Sequence, residues 1–292
     1  MQAIGIDLGG TRIKGVLINR NGKILEELVK DTLLSNEIWK QDVQKVYETL
    51  AGSATDQYVV GLSAPGIPNQ INTAIAFLPN RLEGIEGFVW KELLGADTFV
   101  MNDAIAALSA EASFGSASNC ENAVLITIGT GVGGAILIDK KIYQGAFQKA
   151  GHIGHMSVDM EGDPDICGMP GSLEEAIGNY SIAKRSNGRF NDTLELLDAM
   201  RANDPTASAI WQKSIKALAV SISSISNILS PEKVVLAGGI TKAGDLLMEP
   251  LRTFMDSFEW RPGGKKISIE LATFSDKAGA IGAAAFALNK IE

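Results

Sequence analysis

The chemistry open to this chain is concentrated in three glycine turns and a few carboxylates, amides and imidazoles. The first turn is Asp7-Leu8-Gly9-Gly10-Thr11, set between two apolar runs. Glycine permits both a tight reversal and close approach to the backbone, and successive N–H groups make a cradle for phosphate. A carboxylate beside such a cradle, here Asp7, can hold Mg²⁺ through water. An ordinary β-hairpin also needs no more than two glycines, so the local sequence leaves both readings open.

The second turn, Gly129-Thr130-Gly131-Val132-Gly133-Gly134, contains the pattern G-x-G-x-x-G. A dinucleotide-binding unit requires a strand, the glycines and then a helix. Here the glycines run into Ala135-Ile136-Leu137-Ile138-Asp139, a second strand. The dinucleotide reading fails, and a strand–turn–strand phosphate loop fits better. Gly238-Gly239, at the end of the run beginning at Lys233, supplies a third turn. Two such hairpins about 120 residues apart are harder to dismiss than one.

Asn102-Asp103 stands between a short strand and the helical run Ala104–Glu111. Both residue types cap helices by accepting from free N–H groups. A helix N-terminus also favours an ionised carboxylate, the form a general base needs, so cap and base are compatible in one residue. Glu174 follows a helix start near Ser172, where its simplest role is a residue of the first turn. His152 and His155 are the only histidines in the chain, three apart in one motif, a placement that reads as functional.

The elements that must position these groups follow from pattern. Strands surround the first turn, with a third in residues 23–29. A helix over about Ile38–Leu50 and a buried strand at residues 58–64 come next. Residues 88–115 read helix, short strand, helix, and a second glycine hairpin spans Ala123–Ile138. Helices dominate from Leu173 to about Leu229, then a strand from Lys233 and a last helix from Ala278 to Lys290. Strand–turn–strand followed by helix and strand, met twice, indicates an internally duplicated α/β fold.

Composition narrows the partners. The chain has 292 residues, 34 acidic and 26 basic, for a net charge of −8. That balance argues against a nucleic-acid surface, which draws on clustered Lys and Arg. Cys120 and Cys167 are the only cysteines, so no disulfide framework is implied and a reducing cytoplasm is expected. The N-terminal residues show no signal-peptide pattern. The longest apolar stretch, Ala123–Ile138, is too short and too broken by glycine to span a bilayer.

Together these pieces resemble the ROK family of sugar kinases and sugar-responsive repressors, within the hexokinase–actin superfamily. The resemblance rests on DLGGT at 7–11, APG at 64–66, PN at 79–80, ND at 102–103, IGTGVGGA at 128–135, GHIGH at 151–155, the stretch Cys167–Glu174, LAGG at 236–239 and GAIGAA at 279–284. It implies a two-domain duplicated actin-like ATPase fold with ribonuclease H-like halves and an interdomain cleft. Residues 1–112 plus 277–292 would form the smaller domain and 113–276 the larger. The implied activity is ATP-dependent phosphorylation of a hexose hydroxyl, glucokinase-like, by a cytoplasmic homodimer.

By the same resemblance Asp103 is the catalytic base, taking the sugar hydroxyl's proton as its oxygen attacks. The sugar would be held by Gly66, Asn80, Asn102, Asp103, His152, His155 and Glu174. ATP would lie against Asp7, Gly9, Gly10, Thr11, Lys14, Gly129, Thr130, Gly131, Gly133, Gly238 and Gly239, with Mg²⁺ near Asp7. Amides and carboxylates suit a polyol, whose hydroxyls both give and accept hydrogen bonds.

Two departures from the family pattern bear on function. The family reads E-x-G-H where this chain has His152-Ile153-Gly154-His155, so an imidazole replaces an acceptor-only carboxylate, and altered sugar specificity is expected. The family's C-x-C-G-x-x-G-C becomes Asp165-Ile166-Cys167-Gly168-Met169-Pro170-Gly171-Ser172. Only His155 and Cys167 remain of a zinc set that needs about four good ligands, so structural zinc is not expected. A sugar-sensing regulator is the alternative, but DLGGT begins at residue 7, so no helix-turn-helix is expected ahead of it. A catalytically dead sugar-binding protein is a third reading, which Asp103 and the intact turns oppose.

Overall fold

The chain alternates between short runs buried on both faces and longer amphipathic segments, the pattern of strands covered by helices. The computed structural model describes residues 1–33, 37–79 and 82–291. Two compact units are present: Met1–Cys120 with Ile136–Ala150 and Ala272–Glu292, and Glu121–Ala135 with Gly151–Leu271.

In the first unit, β1 (Gln2–Leu8), β2 (Arg12–Asn19) and β3 (Ile24–Asp31) form an antiparallel meander. After α1 (Ile38–Ser53), strand β4 (Tyr58–Ser63) pairs parallel to β1. A small ribbon of β5 (Ile67–Pro68) and β6 (Ile75–Phe77) and the short α2 (Trp90–Leu94) precede β7 (Thr98–Met101), which joins β4 in parallel. The strand order is β3-β2-β1-β4-β7. Central β1 is almost wholly buried, whereas edge strand β3 shows alternating partial exposure, as a strand with one solvated face should.

Helix α3 (Asp103–Phe114) follows β7, and the C-terminal α9 (Ala278–Lys290) packs against α3 and the sheet. α9 lies so close that a Cβ on Gly5 or Gly61 would come within 1.9 Å of the carbonyl oxygens of Ala280 and Ala283. Only glycine allows this approach, and the seam is completed by small residues such as Ala110, Ala280 and Ala284. Trp39, Leu50, Leu62 and Trp90 anchor the core on the sheet's other helices.

The second sheet repeats the order. β8 (Ala123–Ile128), β9 (Val132–Ile138) and β10 (Lys141–Tyr143) make a meander, and β11 (Lys233–Ala237) and β12 (Ser268–Leu271) extend it in the order β10-β9-β8-β11-β12. Between β10 and β11 lie α4 (Leu173–Ile177), α5 (Ile182–Arg185), α6 (Thr193–Arg201) and the 25-residue α7 (Pro205–Leu229). α7 buries Trp211, Ile215, Leu218 and Ile222, and the Trp211 indole donates to the Leu246 carbonyl at 2.8 Å.

The sequence pattern places no element between Ala237 and Ala278, yet α8 (Asp245–Phe258) and β12 lie there. α8 carries Pro250 in its interior and follows Gly244, both of which read as interruptions, and β12 is a four-residue strand with no fully buried position. No helix among the described residues is long and apolar enough to cross a membrane.

Candidate functional site

The carboxylates of the first unit gather at the C-terminal ends of its parallel strands, where doubly wound sheets place ligands. Asp7 lies near the end of β1 in register with Ser63 at the end of β4, and the Ser63 hydroxyl donates to Asp7 Oδ1 at 2.8 Å. The first turn of α9 comes up against the same carboxyl, since a Cβ on Gly279 would sit 2.4–2.6 Å from its atoms. Burial pushes the Asp7 carboxyl up to about 6. The Ser63 hydrogen bond works against that rise, the charge of Asp103 adds to it and Lys14 opposes it.

Helix α3 settles which residue caps it. Asn102 is extended at φ −80° and ψ 166°, and its Oδ1 accepts from Ile105 N at 2.7 Å. Asp103 is the first helical residue, and its Oδ1 accepts from Ala104 N at 2.9 Å. Asn102 therefore caps the helix through Ile105 N, and the Asp103 carboxylate, which accepts from Ala104 N, stands in the first turn at the helix N-terminus. Gly66 has φ +106°, and a Cβ there would meet Ile75 Cγ2 at 2.7 Å and the Phe77 carbonyl at 2.8 Å. Lys14 Nζ donates to the Asp276 carbonyl at 2.5 Å, tying β2 to the segment that enters α9. Asn80 lies outside the described residues.

The glycine turns have open faces. Gly9 N–H donates to the Arg12 carbonyl at 3.0 Å, which closes the first turn, and Gly10 and Thr11 are exposed. In the second unit Gly129 N–H donates to the Gly131 carbonyl at 2.9 Å, Gly133 N–H to Thr127 Oγ1 at 3.1 Å and Val132 N–H to Glu174 Oε2 at 2.7 Å. Gly238 (φ +94°) packs on the end of β8, its would-be Cβ 2.4 Å from the Ile128 carbonyl, so the Gly129 and Gly238-Gly239 turns adjoin. A Cβ on Gly10 or Gly239 would meet nothing within 4 Å. The exposed turn residues Gly10, Thr11 and Thr130, beside glycines with clear space, fit a phosphate chain. A carboxylate lifted to about 6 by burial and by a second carboxylate fits Mg²⁺, whose charge would relieve that repulsion.

His152 and His155 flank a single turn at Ile153–His155 and stack with ring centroids 6.4 Å apart. His155 Nδ1 meets Asp165 Oδ2 at 2.7 Å and its Nε2 meets the Cys167 sulfur at 3.6 Å. Asp165 Oδ1 accepts from Cys167 N at 2.8 Å and Met169 N at 3.0 Å. Burial alone would raise the Asp165 carboxyl, but hydrogen bonds from His155, Met169, Cys167 and Ser172 outweigh it and hold it low. Burial, then the charges of Asp165 and Glu174, push the Cys167 thiol up.

The donor atoms of His155, Asp165 and Cys167 lie within 4.8 Å of one another. They do not fit a structural zinc. They are three where a structural zinc takes about four good ligands, both Asp165 oxygens already hold the loop together, and Ser172 Oγ accepts from Glu175 N at 3.2 Å as the cap of α4. The residues that pattern reading missed are Ser63, found only through the β1–β4 register, and the N–H groups of Asn179 and Tyr180, which donate to the Gly129 and Thr130 carbonyls at 3.0 Å.

The sequence profile of the ROK family matches residues 3–290. The chain belongs to the ROK family. A glucokinase of Thermotoga maritima is 28% identical over 314 residues, covering 100% of this chain and 98% of its own. An N-acetylmannosamine kinase of Vibrio cholerae is 33% identical over 253 residues, covering 82% of this chain and 84% of its own. Among solved structures, a ROK hexokinase from Thermus thermophilus superposes with a TM-score of 0.87 at 25% identity, covering 100% of this chain and 99% of that one. The actin-like ATPase fold of these kinases is the fold described above.

Proposed function

We propose that this ROK-family protein transfers a phosphoryl group from ATP to a hydroxyl of a hexose-class sugar, with Asp103 as the base. That it is a sugar kinase follows from its family and from its glucokinase and N-acetylmannosamine kinase relatives. The observation that carries the residue-level reading is the placement of Asp103 at the N-terminus of α3, next to the Asn102 cap and near enough to Asp7 for its charge to raise that carboxyl. Asp103 would take the proton of the attacking hydroxyl, so that the oxygen becomes nucleophilic as it forms its bond to phosphorus. The Asn102 amide, Gly66, His152, His155 and Glu174 would orient the sugar, and Asn80 joins them by family resemblance.

The turns at Gly9–Thr11 and Gly129–Gly133, through the N–H groups they do not already spend on the protein's own acceptors, with Gly238-Gly239 and Lys14, would receive ATP. Bound MgATP supplies the transferable phosphoryl group and a cation that offsets its charge, with Asp7 holding that cation through water. His152 sets the sugar preference away from glucose, because an imidazole gives one hydrogen bond and accepts one where a carboxylate only accepts. The test is ADP release across hexoses, N-acetylhexosamines and polyols, with Asp103→Asn as control. Absence of sugar-dependent ADP release by the wild type with every sugar would overturn the reading.

A further inference from the structure

We propose that Glu174 couples the phosphate turn to the sugar site, one carboxylate serving both. The inference rests on the kinase reading above. Pattern gives Glu174 the role of a first-turn helix residue, but Ser172 caps α4 through Glu175 N and leaves the Glu174 carboxylate for other work. Its Oε2 accepts from Val132 N–H at 2.7 Å. It also lies so near Gly131 that a Cβ there would fall 2.3 Å from Oε2, so a side chain at that position would displace the carboxylate.

The segment carrying Glu174 grips the turn at two further points, since Asn179 N and Tyr180 N each donate to a turn carbonyl at 3.0 Å. It is bonded to the sugar side as well: Leu173 N donates to the Met156 carbonyl at 2.8 Å, linking the neighbours of Glu174 and His155. Glu174 Oε1 has no hydrogen bond from the described residues and can accept a sugar hydroxyl.

A phosphate cradle is ordinarily lined by N–H donors and cations. A carboxylate that takes one of those N–H groups and sets a negative charge beside the turn opposes a triphosphate. A hydroxyl donated to Oε1 shares that charge and weakens the opposition. Sugar therefore tightens nucleotide binding, nucleotide tightens sugar binding by the same factor, and ATP is held poorly while the sugar position holds only water.

The test is calorimetric binding of the β,γ-imido analogue of ATP, with Mg²⁺, to wild type and Glu174→Gln. Each is measured alone, with saturating glucose and with saturating N-acetylmannosamine. The glutamine carbonyl can still accept from Val132 N–H but carries no charge. In the wild type the more effective sugar should tighten the analogue's Kd about fivefold or more. Glu174→Gln should bind the analogue about three- to tenfold more tightly than wild type without sugar, and sugar should then change its Kd less than twofold. Sugar-free ATP hydrolysis should rise in parallel.

If Glu174→Gln does not fold, Gly131→Ala replaces it, because the added Cβ and Glu174 Oε2 exclude each other. The ratio of Kd values with and without sugar should collapse to near one there, whatever the absolute affinity. A wild type with no such ratio, or a variant that keeps it, overturns the inference and leaves Glu174 an ordinary sugar ligand. Loss of the kinase reading shows separately, as wild-type protein that releases no ADP with any sugar.

Discussion

Replacing Asp7 with Asn should stabilise the metal-free protein near neutral pH and do much less in acid. Burial lifts this carboxyl from 3.8 to about 6, and the nearby Asp103 charge adds to the rise. Between those two values the folded chain binds more protons at this site than the unfolded chain. Stability therefore falls as pH rises through the window and levels off above the folded value. Integrating the linkage gives a cost of about 1 kcal/mol at pH 4.5 and about 3 kcal/mol by pH 7, as an upper bound because Asp7 keeps some solvent access.

Asparagine removes the charge but can still accept from Ser63. In EDTA, the melting temperature of Asp7→Asn minus that of wild type should accordingly grow from pH 4.5 to pH 7. The full 3 kcal/mol corresponds to about 5 °C for a chain of this length, from the usual unfolding entropy per residue. Adding Mg²⁺ with nucleotide should shrink the difference at pH 7, because the cation stabilises only the carboxylate form. A difference that stays flat across the pH range would refute a raised Asp7 and with it the electrostatic case for a cation there.

Asp103→Asn should lower kcat by several orders of magnitude while sugar binding by calorimetry survives, since the amide keeps the shape but cannot take the proton; more than about a tenth of wild-type kcat would place the base elsewhere. Gly61→Ala should destabilise by about 3 kcal/mol or more, because its Cβ would lie 1.9 Å from the Ala283 carbonyl, and an unchanged denaturant midpoint would contradict the α9 packing. Elemental analysis of protein purified without added metal should find substoichiometric zinc, and one tightly held zinc per chain would mean that Asp165 is a ligand rather than a hydrogen-bonded clasp. His152→Glu should raise kcat/KM for glucose relative to the wild type's best sugar, by up to the tenfold to hundredfold that one buried hydrogen-bond mismatch of about 1–3 kcal/mol allows, and no change would place His152 outside the sugar contacts.

The parts of this molecule that were legible in advance are those whose cause is local. Glycine pairs between alternating apolar runs announce the hairpins at Gly9-Gly10 and Gly129–Gly134, and the apolar run from Ala278 to Lys290 announces α9, because turn geometry and amphipathic or buried periodicity are written within a dozen residues. Asn102-Asp103 marks the limit of that logic. Either residue type can cap a helix, and only the backbone entering α3 assigns the cap to Asn102 and makes Asp103 the first helical residue.

Beyond that limit the determinants are contacts between distant segments. Ser63 reaches Asp7 because β4 pairs with β1 in one register, which a separation of 56 positions along the chain does not reveal. Asp165, in a place where the resemblance implies a metal-binding thiolate, gathers two backbone N–H groups and His155 into a clasp, a role visible only once the loop is closed. Glu174 meets Val132 across 42 positions, and its carboxylate fills the space beside Gly131 that a side chain there would enter. A glycine-rich motif thus records two demands at once, the approach of a ligand and the approach of the protein's own side chains. Substitutions at Gly131 and at Glu174 separate them, since the first disturbs both demands and the second only one.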